Sequence, residues 1–144
     1  MAEAMGIASG IAGLLSLTIT VMDISYRYIS NAHGASKIIS AYLQELASLK
    51  TLLVKLDEIA HSLDTVEMFR ECSPALLPMI SIDQCQIELD QLYLKLQKQS
   101  TGNLLLSRLN RLFWPFTEVE TRRLFETIHR HRGTFQTALS ANGL

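Results

Sequence analysis

The side chains that could carry acid–base or metal chemistry are few in this sequence, and their spacing keeps them apart. His129 and His131 are two residues apart, so on a helix they point in different directions and cannot share a metal ion. Glu88 and Asp90 are separated in the same way. His131 falls on an apolar stripe, where we expect a hydrogen-bonded core histidine. Motifs of zinc proteases, serine hydrolases and phosphate-binding loops are absent. The sequence predicts neither an enzyme nor a bound metal or cofactor.

The chemistry that the sequence does favour is that of an apolar helix meeting a lipid bilayer. No charged residue occurs between Glu3 and Asp23, a run of 19 residues. A helix of that length is about 28 Å long, against about 30 Å of bilayer hydrocarbon. The spacing of Gly6 and Gly10 is one by which helix backbones pack closely in lipid. Small residues form a longer ridge, at Ala4, Ala8, Ala12, Ser16 and Thr20, widened by Gly6, Ser9, Gly10 and Gly13.

Two interpretations of this segment stay open: a buried helix of a soluble bundle, and a helix that inserts into a membrane conditionally. A secretory signal peptide is disfavoured because a positively charged start is missing. A permanent anchor is disfavoured because serines, threonines and glycines dilute the apolar run. We expect a charge at Leu14 or Leu15 to abolish membrane activity. The residues predicted to insert are Gly6, Ile7, Gly10, Ile11, Gly13, Leu14, Leu15, Leu17 and Val21.

An aromatic and basic cluster gives a second candidate contact with lipid. Residues 112–116 read LFWPF. Residues 103–144 contain six arginines and three glutamates, so this part of the chain is basic. The aromatic run is either a core plug at one end of a bundle or an anchor in the headgroup layer. Arg123 and Arg130 are a heptad apart and share a helix face. The predicted headgroup contacts are Arg108, Arg111, Trp114, Arg123 and Arg130.

Length and composition indicate a single globular domain over residues 1–144. Apolar residues make up 48% of the chain and charged residues 19%, which is typical of a folded protein. The net charge of −1 argues against nucleic acid as a partner. Cys72 and Cys85 have no histidine at ligand spacing, so we expect reduced cytosolic thiols.

Apolar spacing and capping signals predict helices throughout, with no strand alternation. After a break at residues 30–34, a stripe from Ile38 to Leu63 predicts the longest amphipathic helix. A third stripe runs from Ile82 to Leu96, and a fourth follows a cap at Thr117. Short helices are predicted over 64–72 and 104–114. The expected fold is all-α: an up-and-down bundle of four main helices with one or two short ones.

Three stretches of the chain resemble the HeLo-like (HELL) family of N-terminal domains in fungal signal-transducing NTPases and their partner proteins. They are the opening MAEAMGIASGIAGLLSLTITVMD, the run RLFWPF at 111–116 and the ending HRGTFQTAL at 131–139. The resemblance spans almost the whole chain. It implies a helical cell-death execution domain with a four-helix bundle as its fold.

The resemblance also implies partners and a location. Such domains act in fungal programmed cell death and heterokaryon incompatibility, cytoplasmic at rest and at the plasma membrane when activated. They usually continue into a NACHT or NB-ARC NTPase or an amyloid-forming motif, so we expect this chain to be excised from a longer protein. The implied partners are anionic plasma-membrane lipids, further copies of the chain, and an NLR-like receptor or amyloid-templating partner.

The expected mechanism has a resting and an active state. At rest, the first helix lies in the bundle with its small-residue ridge against the second helix. Oligomerisation frees the first helix, which inserts and makes the membrane leaky. The alternative is a helical signalling adaptor or oligomerisation domain of a fungal NLR-like receptor, without direct lipid activity.

Overall fold

A computed structural model describes residues 2–30, 37–60, 79–102 and 114–141. These residues form four helices and no strand, which confirms the predicted all-α class and four-helix bundle. The helices are α1 (Ala2–Ser30), α2 (Lys37–Ala60), α3 (Met79–Gly102) and α4 (Glu118–Ala141).

The predicted apolar stripes form the core. In α2, the side chains of Tyr42, Leu46, Leu49, Leu53 and Leu56 are buried, at spacings of three and four residues. All five stripe residues of α3, from Ile82 to Leu96, are buried as well. Burial of each such aliphatic side chain contributes about 1.5–3 kcal/mol. In α4 the stripe is completed by Ile128, His131, Phe135 and Leu139.

The start of α4 follows the predicted capping signal. The Thr117 hydroxyl accepts from the Glu120 amide at 3.1 Å, and the Glu120 carboxylate accepts from the Thr117 amide at 3.4 Å. This reciprocal pair satisfies two backbone donors that the first turn leaves free. Ser81 and Gln84 have the spacing of a capping box, which predicts a helix start at Ser81, but the helix already includes Met79 and Ile80.

Of the two predicted short helices, only the last residue of the second lies among the described residues. Residues 64–72 and 104–113 lie outside the described residues. Trp114, the last residue of the second predicted helix, is described and is not helical. It lies just before α4, where it packs against the bundle.

The end of α1 meets the start of α2 at Ser25 and Tyr42, and the end of α3 at Tyr28 and Leu96, so α1 is antiparallel to α2 and parallel to α3. Lys95, near the end of α3, lines a groove with Glu120 at the start of α4, so these two helices are antiparallel. The order of the helices around the bundle differs from their order in the chain. Close approaches join α3 to α1, α1 to α2, and α2 to α4, whereas α3 meets α4 along a much thinner edge. Parallel helices are therefore neighbours in the pairs α1/α3 and α2/α4. Because α1 lies between α2 and α3, its removal would take away most of the contacts that hold α3.

Candidate functional site

The candidate site is α1, whose inward face packs into the core. Its buried residues recur at intervals of three and four, which is the period of a helix face. Ile11, Leu14 and Val21 are fully buried, and each was predicted to insert into a membrane. In the bundle they contact the core formed with α2 and α3. The buried face consists of Ile11, Leu14, Thr18, Val21, Ser25 and Tyr28.

The outward face of α1 carries the small residues. Ser9, Gly13 and Ser16 are exposed, and the prediction that the small-residue ridge packs against α2 is wrong for them. A Cβ built at Gly13 would come no closer than 3.7 Å to another side chain, that of Gln86 on α3. The glycine is therefore not required there by close packing. The reason for the error is that the larger Ile11, Leu14 and Val21 remove more apolar surface from water than a small-residue ridge would.

The other residues predicted to insert lie between these two faces or beyond the described side chains. Gly10, Leu15 and Leu17 are half-buried. Gly6 and Ile7 lie within α1, but their side chains fall outside the described ones. Their predicted insertion stays a prediction.

Within the described part of the chain, one helix is long and apolar enough to cross a membrane. The segment is Ser9–Tyr28, with a mean hydropathy of 1.3, and one third of it is buried in the bundle. Two of its hydroxyls do not oppose transfer strongly, because Thr18 donates to the Leu14 carbonyl at 2.8 Å and Thr20 to the Ser16 carbonyl at 3.0 Å. Such bonds stay within the helix and remain formed in lipid.

Two hydrogen bonds tie the C-terminal end of α1 to its neighbours. The Ser25 and Tyr42 hydroxyls lie 2.9 Å apart, joining α1 to α2. Tyr28 donates to the Leu96 carbonyl at 2.8 Å, joining α1 to α3. Burial raises the pKa of both tyrosines above the usual value, so both phenols stay protonated. Release of α1 along its whole length would break both bonds, whereas release as far as Val21 would keep them.

Trp114 closes one end of the bundle. Its ring centroid lies 6.1 Å from that of Tyr28, 5.3 Å from Tyr42 and 5.3 Å from Phe116. Its indole Nε1 donates to the Thr121 hydroxyl at 2.9 Å. Trp114 therefore packs at one end of the bundle core, as the core-plug interpretation predicts. The predicted headgroup contacts Arg108 and Arg111 lie outside the described residues.

The basic run of α4, His-Arg-His-Arg at 129–132, contacts two glutamates on different helices, Glu45 on α2 and Glu88 on α3. Arg132 donates to both carboxylate oxygens of Glu45 on α2, at 2.7 and 3.3 Å, and His129 Nδ1 lies 3.3 Å from the same carboxylate. Arg130 donates to Glu88 on α3 at 3.3 Å, and buried His131 hydrogen-bonds to the same carboxylate through Nε2. This confirms His131 as a hydrogen-bonded core histidine. Among the described residues, no group of His, Cys, Asp and Glu side chains could hold a metal ion.

The pairing of this run was not predicted, since the two glutamates are more than 40 residues away in sequence. Arg123, one heptad before Arg130, is exposed and lines a groove between α3 and α4 of about 320 Å³. Lys95, Phe116, Glu120 and Leu124 complete the groove. The predicted common face of Arg123 and Arg130 is therefore directed towards the edge that α4 shares with α3.

A second surface missed in the sequence is an apolar ridge on α3. Ile80, Ile87 and Leu94 are 75%, 58% and 57% exposed and lie seven residues apart, opposite the buried stripe of the same helix. Heptad spacing places them on one face. The signal was present in the sequence, but the inward stripe from Ile82 to Leu96 already accounted for the helix.

Cys85 is a buried thiol on the inward face of α3, and we predict that it is inert. Burial, and secondarily the charge of Glu88, raise the pKa of Cys85 from 9.0 to about 12. Its neutral form therefore stabilises the fold fully below about pH 9, and that contribution is lost as the pH rises towards 12. In a Cys72→Ser background, labelling by a thiol reagent at pH 8 is expected to be more than about 100-fold slower in the folded protein than in urea. Equal labelling rates in the folded protein and in urea would contradict the burial of the inward face of α3, on which Cys85 lies.

Comparison of the chain with protein-family models, with curated proteins and with solved structures finds no match. The functional argument therefore rests on the geometry of the four helices and on the residues they present.

Proposed function

We propose that this chain is a membrane-disrupting execution domain of fungal programmed cell death, at rest in the cytoplasm and active at the plasma membrane. One observation carries the proposal. The exposed face of α1 has no charge between Glu3 and Asp23, although an exposed helix face of a soluble bundle is normally charged. The same helix has the length and mean hydropathy needed to cross a bilayer.

The energetics of α1 support a conditional release. Ile11, Leu14 and Val21 would leave an apolar core for apolar lipid, so their own transfer costs little. The main cost is the core surface that α2 and α3 would expose to water, at about 25 cal/mol per Å². Clustering of several chains can offset that cost, because inserted helices then pack against one another.

The solvent-facing position of the small residues supports self-association. Ser9 and Gly13, and likewise Ser16 and Thr20, are four residues apart, which is the small-xxx-small spacing of helix pairs in membranes. At the exposed position Gly13, an added Cβ would stand 3.7 Å from the Gln86 side chain of α3, so the ridge is not closely packed in the bundle. The ridge is therefore available for contact with α1 of another chain, which is what an oligomeric leak would need.

The experiment that tests the proposal clusters the chain deliberately. The chain is fused to a drug-inducible oligomeriser and added to dye-loaded vesicles containing phosphatidylserine, and the same fusion is expressed in cells. We expect dye release and cell death on adding the drug, and little of either without it. Intact vesicles under every clustering condition would overturn the proposal.

A second candidate function is that of a signalling adaptor or oligomerisation domain of an NLR-like receptor. The apolar ridge of Ile80, Ile87 and Leu94 favours it, because exposed aliphatic side chains on one helix face are typical of contact with another protein. In that case the clustered chain would bind a protein partner through α3 and leave vesicles intact.

A further inference from the structure

The edge between α3 and α4, here called the α3–α4 seam, is the weakest helix contact of the bundle and is rich in cations. The two helices approach each other closely at far fewer positions than the other three neighbouring pairs. The side chains of Lys95, Arg123 and Arg130 are directed to this seam, beside the buried imidazole of His131. A positive strip of this kind attracts anionic surfaces when it is open to solvent.

One carboxylate, that of Glu88, pairs with an arginine of that strip. Glu88 lies between Arg130 and His131 and bonds to both. The other acid at the seam, Glu120, bonds to the hydroxyl and amide of Thr117 and so caps α4. Glu88 belongs to α3, whereas Arg123, Arg130 and His131 belong to α4. Movement of α3 away from α4 would therefore remove the carboxylate that bonds to Arg130, together with Lys95, and leave Arg123 and Arg130 on α4 without that partner.

The arrangement of the helices couples such movement to α1. Apart from the thin seam, α3 contacts the bundle through α1 alone among the described helices. The Tyr28 bond to the Leu96 carbonyl is part of that contact. If α1 leaves for a membrane, the contact that α3 keeps with the other described helices is the seam, where Glu88 bonds to Arg130 and His131.

We propose that Glu88 masks a lipid-binding strip on α4, formed by Arg123 and Arg130, and that departure of α1 unmasks it. The ligand is the phosphate-bearing surface of an anionic bilayer. This inference rests on the proposed membrane function, and it adds the site and its control: insertion of α1 and headgroup binding by α4 become successive steps. Insertion of α1 favours headgroup binding by α4, because the bilayer that takes up α1 also presents an anionic surface to the strip on α4.

The test compares Glu88→Gln with Asp90→Asn. The two variants change the net charge equally, but Asp90 is exposed and forms no bond to Arg130 or His131. Sedimentation with mixed phosphatidylcholine and phosphatidylserine vesicles gives the binding constant. We expect Glu88→Gln to bind about fivefold more tightly than the unsubstituted chain, the effect of about one freed charge near the surface. For Asp90→Asn we expect less than a twofold change.

Three further measurements make the result decisive. Addition of Arg130→Gln to Glu88→Gln should remove the gain, and raised salt should remove it too. Equal binding of Glu88→Gln to pure phosphatidylcholine vesicles would overturn the proposal, because it would indicate exposed apolar surface. Equal gains for Glu88→Gln and Asp90→Asn would also overturn it, since net charge alone would then explain the effect.

The failure of this inference is distinguishable from the failure of the proposed function. All variants are also made with Ser16→Asp, which places a charge on the exposed face of α1 and disfavours insertion. Masking by Glu88 predicts that the gain in binding persists in that background even where leakage is lost. If Glu88→Gln gains vesicle binding while the clustered parent chain causes no leakage, masking by Glu88 is supported and the proposed membrane-disrupting function is rejected.

Discussion

Replacement of Ser16 by aspartate is expected to reduce vesicle leakage by about two orders of magnitude while leaving the bundle folded. Ser16 is exposed on α1, so a carboxylate there stays in water in the resting state. In a bilayer the same carboxylate would lie well inside the candidate span of Ser9–Tyr28. A charge near the centre of such a helix costs about 2.5–3.5 kcal/mol on insertion, which is a factor of about 70–370 in the equilibrium. Dye release from vesicles, measured with the clustered chain, checks this.

The matched control is Ser40→Asp, the same substitution at an exposed position of α2. It should leave leakage unchanged, because α2 stays outside the membrane in the proposed mechanism. Thermal unfolding followed by circular dichroism should place all three proteins within a few degrees of one another. Undiminished leakage from a folded Ser16→Asp protein would exclude α1 as the inserting element.

Leu14→Asp is expected to destabilise the bundle by more than about 4 kcal/mol, in contrast to Ser16→Asp two residues away. Leu14 is fully buried in the core. An unpaired carboxylate there loses its hydration without gaining a partner, and such substitutions cost more than about 4 kcal/mol. Since domains of this size are stable by only about 5–15 kcal/mol, most of the stability would be lost. Urea unfolding of the unclustered protein measures the change.

Leu14→Met provides the control, because a volume-conserving apolar change in a core costs less than about 1.5 kcal/mol. If Leu14→Asp unfolds at the same urea concentration as Ser16→Asp, α1 does not pack in the resting bundle. The pair also corrects the test that the sequence suggested. Loss of leakage after a charge at Leu14 would report on folding, whereas loss after Ser16→Asp reports on insertion.

The two glutamates that bind the basic run of α4 differ in how strongly the helices they join are held together by other contacts. Glu45 joins α4 to α2, and these helices also share a broad apolar contact. Glu88 joins α4 to α3, where the apolar contact is thin. A lost bond at Glu45 would therefore leave its helices together, whereas a lost bond at Glu88 acts at the place where the bundle is easiest to open.

The sequence by itself determined the helices and their inward faces. Apolar residues at intervals of three and four identified the stripes of α2, α3 and α4, because a helix face repeats with that period whatever it packs against. The cap at Thr117 was equally readable, since its bonds join residues three apart. The burial of His131 followed from its position on a stripe. These are local properties, and local spacing is enough to predict them.

Only the tertiary structure decided which surfaces meet. In α1 the sequence shows a small-residue ridge and a bulkier face, and either could have been the inner one. The fold buries Ile11, Leu14 and Val21 because they remove more apolar surface from water, which leaves Ser9, Gly13 and Ser16 outside. The pairing of Arg130 and His131 with Glu88 likewise depends on the order of helices around the bundle. That order is a non-local property, because many arrangements bury the same stripes, and the choice among them is made by the packing of whole helices.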